Sequence, residues 1–109
     1  MTTKYKILGQ AAPTPNTLTA IYTVPASNSA VISTITICNQ TASNGSYSIS
    51  VAAAGAADAN TQYIIRGGVV PAADSIGITL GLTLGAADVV RANTNLANVS
   101  FNVFGSEVY

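Results

Sequence analysis

Few side chains of this 109-residue chain could carry acid–base or nucleophilic chemistry, because it contains no histidine and a single cysteine. General acid–base catalysis needs a titrating group held next to its target, and a glycosidase needs a pair of carboxylates. A nucleophilic serine without a histidine would need a lysine or an N-terminal amine as its base. The groups available for such roles are Asp58, Asp74, Asp88, Glu107, Lys4, Lys6 and Cys38.

The three aspartates lie in segments that resemble turns. Ala-Ala-Asp occurs at 56–58, 72–74 and 86–88, and Val70-Pro-Ala-Ala-Asp-Ser75 matches Val24-Pro-Ala-Ser-Asn-Ser29. Proline fixes φ, and Asn or Asp side chains bond nearby backbone amides, which favours a reused turn over a site built from three aspartates. None of these loops has the alternating acidic spacing of a calcium site. We therefore expect a protein that is not an enzyme, with no catalytic, cofactor-binding or metal-binding residues.

The charge of the chain is low and balanced. Charged residues make up 7% of it, four basic and four acidic, whereas about 25% is usual in soluble proteins. No basic field exists to attract nucleic acid phosphates, and near-zero charge favours association. The first residues lack the apolar core of a signal peptide, and no apolar run reaches membrane-spanning length. We expect neither a nucleic-acid partner nor a membrane, and Cys38 alone excludes an internal disulfide.

The stretch Ile76–Leu84 alternates most clearly. Isoleucine or leucine fills every even position, whereas the odd positions hold Gly77, Thr79, Gly81 and Thr83. A period of two indicates a strand with one aliphatic face, which we interpret as a central strand of the sandwich. Glycine within a strand often marks the close approach of another backbone. The bare face is therefore a candidate contact between copies; the alternatives are an ordinary exposed face and a face covered by the chain's own N-terminal arm.

The remaining strand signals complete an all-β domain. Seven or eight short strands at intervals of about 10 residues predict a single antiparallel β-sandwich, either jelly-roll or immunoglobulin-like. We expect an N-terminal arm at 1–16 with an edge strand at 5–8, a sandwich domain at 17–104 and a tail at 105–109. The runs 31–39 and 46–54 are predicted to pair as a hairpin.

The phase of 31–39 is ambiguous, because Ile32 falls on one face and Val31, Ile35 and Ile37 fall on the other. Either both faces are partly buried or a bulge near Ser33 shifts the alternation.

The tyrosines divide by phase. Tyr22 and Tyr47 fall on predicted core faces, whereas Tyr5, Tyr63 and Tyr109 are candidate exposed contacts. β-Sandwich lectins stack aromatic rings on sugars, but this chain has no tryptophan. We expect these three tyrosines to serve packing or an interface between proteins, with sugar binding as the alternative.

Several segments together resemble small β-sandwich virion structural proteins of tailed bacteriophages. They are Tyr22-Thr-Val-Pro-Ala26, Ala30–Asn39, Tyr47–Val51, Ala53–Ala56, Leu80–Leu84, Ala86–Val90 and Phe104–Glu107. The resemblance implies a many-copy virion component, either a capsid decoration (cement) protein or a tail- or fibre-associated subunit, assembled in the host cytoplasm. Its partners would be major capsid or tail proteins and copies of itself. A carbohydrate-binding or host-adhesion module of a tail fibre is the alternative function.

Overall fold

The computed structural model describes residues 2–109, which form a sandwich of two four-stranded antiparallel sheets. One sheet has the order β1-β8-β3-β6 and the other β2-β7-β4-β5. Two short 3-10 turns, Ala53–Gly55 and Asn60–Gln62, lie between β4 and β5. The strands are β1 (Thr3–Ala11), β2 (Thr19–Thr23), β3 (Ser29–Asn39), β4 (Gly45–Ala52), β5 (Tyr63–Val70), β6 (Ser75–Leu84), β7 (Val89–Thr94) and β8 (Val99–Val108).

Alternating side chains from both sheets build one core between them. Successive residues of a strand point to opposite faces, so every second residue enters the core. Phe101 and Val103 of β8, with their neighbours in β3, are fully buried against the β2-β7-β4-β5 sheet. Tyr22 and Tyr47 are each 7% exposed, which confirms their predicted core positions.

This strand order is that of a jelly roll. Every connection crosses from one sheet to the other except the β4–β5 loop, which joins neighbours in one sheet. The all-β sandwich prediction is confirmed, and the order of the strands selects the jelly-roll alternative. The predicted hairpin of 31–39 with 46–54 is wrong, because β3 pairs with β6 and β8 whereas β4 pairs with β5 and β7.

Three of the connections between the two sheets contain the same type of turn. Ser27, Ala73 and Ala87 each adopt positive φ immediately before an Asn or Asp, at the β2–β3, β5–β6 and β6–β7 connections. Non-glycine residues enter this region at a cost of about 1–2 kcal/mol, so the surrounding contacts must hold the turns in place. The triplet at 56–58 is different, because it lies in the β4–β5 loop and none of its residues has positive φ.

The ambiguous phase of β3 comes from a bulge. The register of β3 with both of its neighbours shifts between Ile32 and Thr34, which selects the bulge near Ser33 from the two alternatives. Ile32 faces the core before the bulge, and Ile35 and Ile37 face it afterwards.

The position predicted for β6 is wrong, because it is an edge strand that pairs only with β3. Its aliphatic row suggested a central position. From Ile76 to Leu82 that row is only half-buried, and Leu84 alone is fully buried.

The two chain ends are more regular than predicted. The edge strand predicted at 5–8 extends over Thr3–Ala11, which pairs with β8, so most of the predicted arm belongs to a sheet. Residues 105–108 of the predicted tail continue β8. Within residues 2–109, no helix is long and apolar enough to cross a membrane.

Glycine is required at 105 and optional at 77. A Cβ at Gly105 would lie 2.1 Å from the Val31 carbonyl oxygen, whereas a Cβ at Gly77 has no heavy atom within 4 Å. We expect Gly105→Ala to lower the free energy of unfolding by about 3 kcal/mol through overpacking. Gly77→Ala, at a negative-φ site, should leave it unchanged or raise it by about 0.5 kcal/mol by restricting the unfolded chain. Urea unfolding of both variants tests this pair, and equal losses would contradict it.

Candidate interaction surface

The outer face, which we define as the side of the β1-β8-β3-β6 sheet turned away from the core, carries most of the predicted contact residues. Directly opposed residues of antiparallel strands share a face, so the registers define rows across the sheet. One row runs Tyr5, Ser106, Val31, Thr83. The next runs Ile7, Phe104, Thr34, Thr79, and a third ends at Gly77.

No acidic or basic residue occupies an outward position in these rows, within the part of the chain that the structure describes. The lysines of β1 stand opposite Glu107 and Gly105, which belong to the core-facing phase of β8. Apart from the apolar side chains Tyr5, Ile7, Val31 and Phe104, the outward positions hold glycine and uncharged polar residues, among them Gln10 and Asn102. The Gln10 side-chain amide donates a hydrogen bond to Asn102 Oδ1 at 2.8 Å. Typical protein surfaces carry interspersed charges, so this sheet presents an unusually neutral face to solvent.

At the β1 side, the outer face contains a shallow apolar hollow of about 670 Å³. Tyr5 is 87% exposed and Ile7 53% exposed at its rim, and Val31 and Phe104 complete its apolar lining. The full lining consists of Tyr5, Lys6, Ile7, Val31, Ser33, Phe104, Gly105 and Ser106. Contiguous exposed apolar residues on a soluble protein mark sites of interaction.

The β6 side of the outer face is bare. Gly77, Thr79, Gly81 and Thr83 are all exposed. A Cβ built at Gly77 or Gly81 would have no heavy atom within 4 Å. The chain's own arm therefore does not cover these glycines, which leaves solvent or another molecule to face them.

A buried carboxylate fixes β1, and with it the rim of the hollow. Glu107 is 3% exposed, yet it receives hydrogen bonds from the Lys6 ammonium at 2.8 Å and from the Tyr22 hydroxyl at 2.6 Å. Lys6 belongs to β1 and Tyr22 to the opposite sheet, so the carboxylate joins two sheets and an edge strand. A buried charge is tolerated when it is paired and hydrogen-bonded in this way.

These contacts perturb the titration of all three groups. The Lys6 hydrogen bond, followed by that of Tyr22, lowers the pKa of Glu107. Burial, reinforced by the Glu107 hydrogen bond, raises the pKa of Tyr22. The Glu107 hydrogen bond raises the pKa of Lys6. Glu107, one of the groups considered for catalysis, therefore has both carboxylate oxygens engaged in holding the fold together.

Tyr63 lies on the other sheet, where it is part of a polar cluster around the β4–β5 loop. Its hydroxyl donates to Asp58 at 3.2 Å, and the Arg66 guanidinium lies 4.5 Å from its ring centroid. Arg66 also donates to Asn60 at 2.8 Å, and Arg91 binds backbone carbonyls of the same loop. Burial, followed by the Asp58 hydrogen bond, raises the pKa of Tyr63. Since Arg66 already stacks on one side of the ring, Tyr63 is a poor open platform for a sugar.

Tyr109 follows the end of β8 and is 44% exposed, with the Lys4 ammonium 5.5 Å from its ring centroid. Its backbone exchanges two hydrogen bonds with Thr2, which closes the end of the β1–β8 pair. The structure thus brings five of the seven predicted contact residues onto the outer face and places Tyr63 and Tyr109 elsewhere.

The aspartates do not converge on one site. Asp74 precedes β6 and Asp88 follows it, so they lie at opposite ends of a ten-residue strand about 30 Å long. Asp88 accepts hydrogen bonds from the backbone amides of Ala54 and Gly85, both at 2.8 Å, and these lower its pKa. Over residues 2–109, no three His, Cys, Asp or Glu residues group as they would to hold a metal ion.

The residues missed from the sequence are those of the hollow other than Tyr5. The sequence predicts an arm at 1–16 with an edge strand at 5–8 but does not show which strand pairs with it, so it does not place Ile7 beside Phe104 or Val31. The alternation of Tyr5 and Ile7 with Lys4 and Lys6 is the signal that could have revealed it. It places the lysines toward the core and the apolar side chains outward, the reverse of the usual arrangement.

No protein-family model matches the sequence, and a search of curated proteins gives no match. Among solved structures, one similar chain comes from a structure of infectious bursal disease virus, Gt strain, with a TM-score of 0.50 and 8% sequence identity. The similarity covers 96% of the present chain and 31% of the viral chain. At this identity the likeness concerns the fold alone. That virus is not a tailed bacteriophage, so the resemblance to phage proteins stays a prediction.

The titration of Glu107 predicts how stability depends on pH. Its pKa is lowered in the folded state, so its stabilising contribution is present above the unfolded value near 4.3 and is lost as the pH falls through the folded value. Glu107→Gln should cost about 2 kcal/mol near neutral pH, because it removes a charge-assisted hydrogen bond. It should also flatten the decline of stability below about pH 4.3.

Chemical unfolding of both proteins from pH 2 to 7 measures this effect. Asp88 titrates in the same acid window, so some decline will remain in the variant. A Glu107→Gln profile parallel to wild type would show that Glu107 does not carry the acid sensitivity.

Proposed function

We propose that this chain is a non-enzymatic virion structural protein that assembles through the outer face of its β1-β8-β3-β6 sheet. The observation that carries the proposal is the neutral outer face, on which the apolar hollow and the bare β6 strand lie side by side. Its partners would be other virion proteins, with a capsid decoration (cement) protein or a tail- or fibre-associated subunit of a tailed phage as the specific role.

The energetics of burial support a protein partner for this face. Covering a charged surface requires a matching charge or costs desolvation energy. Among the described residues, no outward position of the outer face is charged, and Lys6, the one charged residue that lines the hollow, is already paired with Glu107. Burying Tyr5, Ile7 and Val31, which are 87%, 53% and 40% exposed, would gain roughly 25 cal/mol for each Å² removed from water. A partner with a small apolar projection would fit the hollow.

The fold adds general support. The jelly roll is used by viral capsid and lectin domains alike, and the fold of this chain is similar to that of a chain from a virus structure. A fold is compatible with many functions, so the proposal depends on the surface more than on the likeness.

Gly81→Gln tests the assembly role. Open space around the Cβ position and a negative φ allow the side chain without strain, so we expect the variant to fold with wild-type stability. A glutamine protruding from the bare strand should reduce incorporation into particles at least ten-fold, as a steric loss of about 1.4 kcal/mol or more in binding implies. Mass spectrometry of purified particles measures the incorporated copies against the major capsid protein.

Val69→Gln is the matched control, because Val69 is 65% exposed on the other sheet and should tolerate the change without a defect in assembly. Absence of the wild-type protein from particles would refute the virion role. Specific binding to host glycans that is lost on Tyr63→Ala or Tyr109→Ala would instead support a fibre adhesion module.

A further inference from the structure

The four sheet edges differ in how they are protected from pairing with another chain. Charged side chains, bulges and short length are the usual protections of an edge strand. β1 carries Lys4 and Lys6; β5 carries Arg66 and the positive-φ Gly67; β2 is five residues long and contains a register shift. β6 also has a register shift in its pairing with β3, but it is ten residues long and contains neither a charged residue nor a proline. Of the edges in residues 2–109, β6 is the one without charge or shortness to protect it.

The core-facing row of β6 also remains incompletely covered. Ile78, Leu80 and Leu82 are half-buried, whereas the isoleucines beside them in β3, Ile32 and Ile35, are completely buried. The difference arises because β6 has a neighbour on one side only. A strand added along β6 would cover the open side of this row and would satisfy the unpaired backbone groups of the edge.

We propose that β6 pairs antiparallel with β6 of a second copy of this chain about a two-fold axis at Leu80, joining two four-stranded sheets into one continuous sheet. An uncharged edge strand can pair with the same strand of a second copy without repulsion between like charges. An edge strand that carries lysines would face such repulsion. The proposal deepens the assembly role by naming a second copy of this chain as the partner of the β6 edge, which borders the outer face. It concerns the isolated protein and can fail while the virion role holds.

The axis at Leu80 is chosen because it makes both faces of the strand complementary. On the core side, Ile78 lies opposite Leu82 of the partner subunit and continues the aliphatic row. On the outer face, Gly81 lies opposite Thr79 of the partner subunit, and Gly77 lies opposite Thr83 of the partner subunit. Each vacant Cβ position, which has no heavy atom within 4 Å in the single chain, then receives a threonine neighbour. The β3–β6 register shifts next to this axis, where β6 has one residue more than β3 between Leu82 and Thr79. The alternation of burial along β6 nevertheless runs through Leu80 unbroken.

Sedimentation equilibrium of the full chain tests the proposal. At about 100 µM, well above a micromolar Kd, wild type should show twice the chain mass of 11.0 kDa. The double variant Thr79→Lys/Gly81→Lys would place introduced lysines directly opposite one another across the two-fold axis, and it should sediment at the single-chain mass. Thr79→Glu/Gly81→Glu should do the same. An equimolar mixture of the two variants should recover the dimer mass, because opposite charges then face each other.

If the mixture recovers the dimer mass, each variant alone was monomeric because its interface was disrupted and not because it was unfolded. Thermal unfolding of each variant checks the fold directly. Thr3→Lys/Tyr5→Lys is the matched control, since it adds the same charges to exposed positions of the opposite edge of the same sheet. It should keep the dimer. A monomeric wild type, an equal loss in the β1 control, or failure of the mixture to recover the dimer would each overturn the proposal. Incorporation into particles, measured separately, would still decide the virion role.

Discussion

Burial of the Glu107 carboxylate between the two sheets is the constraint on which the outer face depends. The carboxylate is stable there because Lys6 of β1 and Tyr22 of the opposite sheet both donate to it, at 2.8 and 2.6 Å. β1 brings little apolar material to the core, since its core-side positions include two lysines. The strand is therefore held by its backbone pairing with β8, by the packing of Leu8 and Ala11 against the core, and by this ion pair. When β1 is in place, Tyr5 and Ile7 form the rim of the hollow; without it, β8 would become an unprotected edge.

Local alternation predicted which residues face the core but not which strands are neighbours. Tyr22, Tyr47 and the bulge near Ser33 follow from the phase of side chains along one strand, and all three agree with the structure. Which strands pair depends on contacts between residues far apart in sequence, such as those of β1 with β8. The side-chain pattern of one strand does not reveal which strand lies next to it. The predicted pairing of 31–39 with 46–54 rests on the turn-forming residues of the loop between them, which includes Asn44-Gly45. In a jelly roll a short loop also joins strands that face each other across the core, as this one does.

The same reason explains how much of the candidate surface was predictable. Alternation along β6 predicted which residues share the bare face, because successive side chains of a strand point to opposite sides. The structure shows these residues exposed, which removes cover by the chain's own arm from the three alternatives. The edge position of β6 was not predicted, because a long aliphatic row is compatible both with a central strand and with an edge strand that pairs on one side only. The hollow was missed because it is assembled from β1, β3 and β8, and only the sheet registers bring Ile7, Phe104 and Val31 together.

Five of the few charged side chains have identifiable structural roles in the fold. Asp88 binds backbone amides at a turn, Arg91 binds carbonyls of the β4–β5 loop, and Arg66 stacks on Tyr63. Lys6 and Glu107 pair beneath the rim of the hollow. These charged side chains therefore secure loops, turns and one edge strand, and none of them occupies an outward position on the outer face. A face without charge needs no matching charge in its partner and loses little hydration when it is covered. Such a surface can be buried repeatedly in a many-copy assembly at low desolvation cost, and shape and backbone pairing would then determine which partner it accepts.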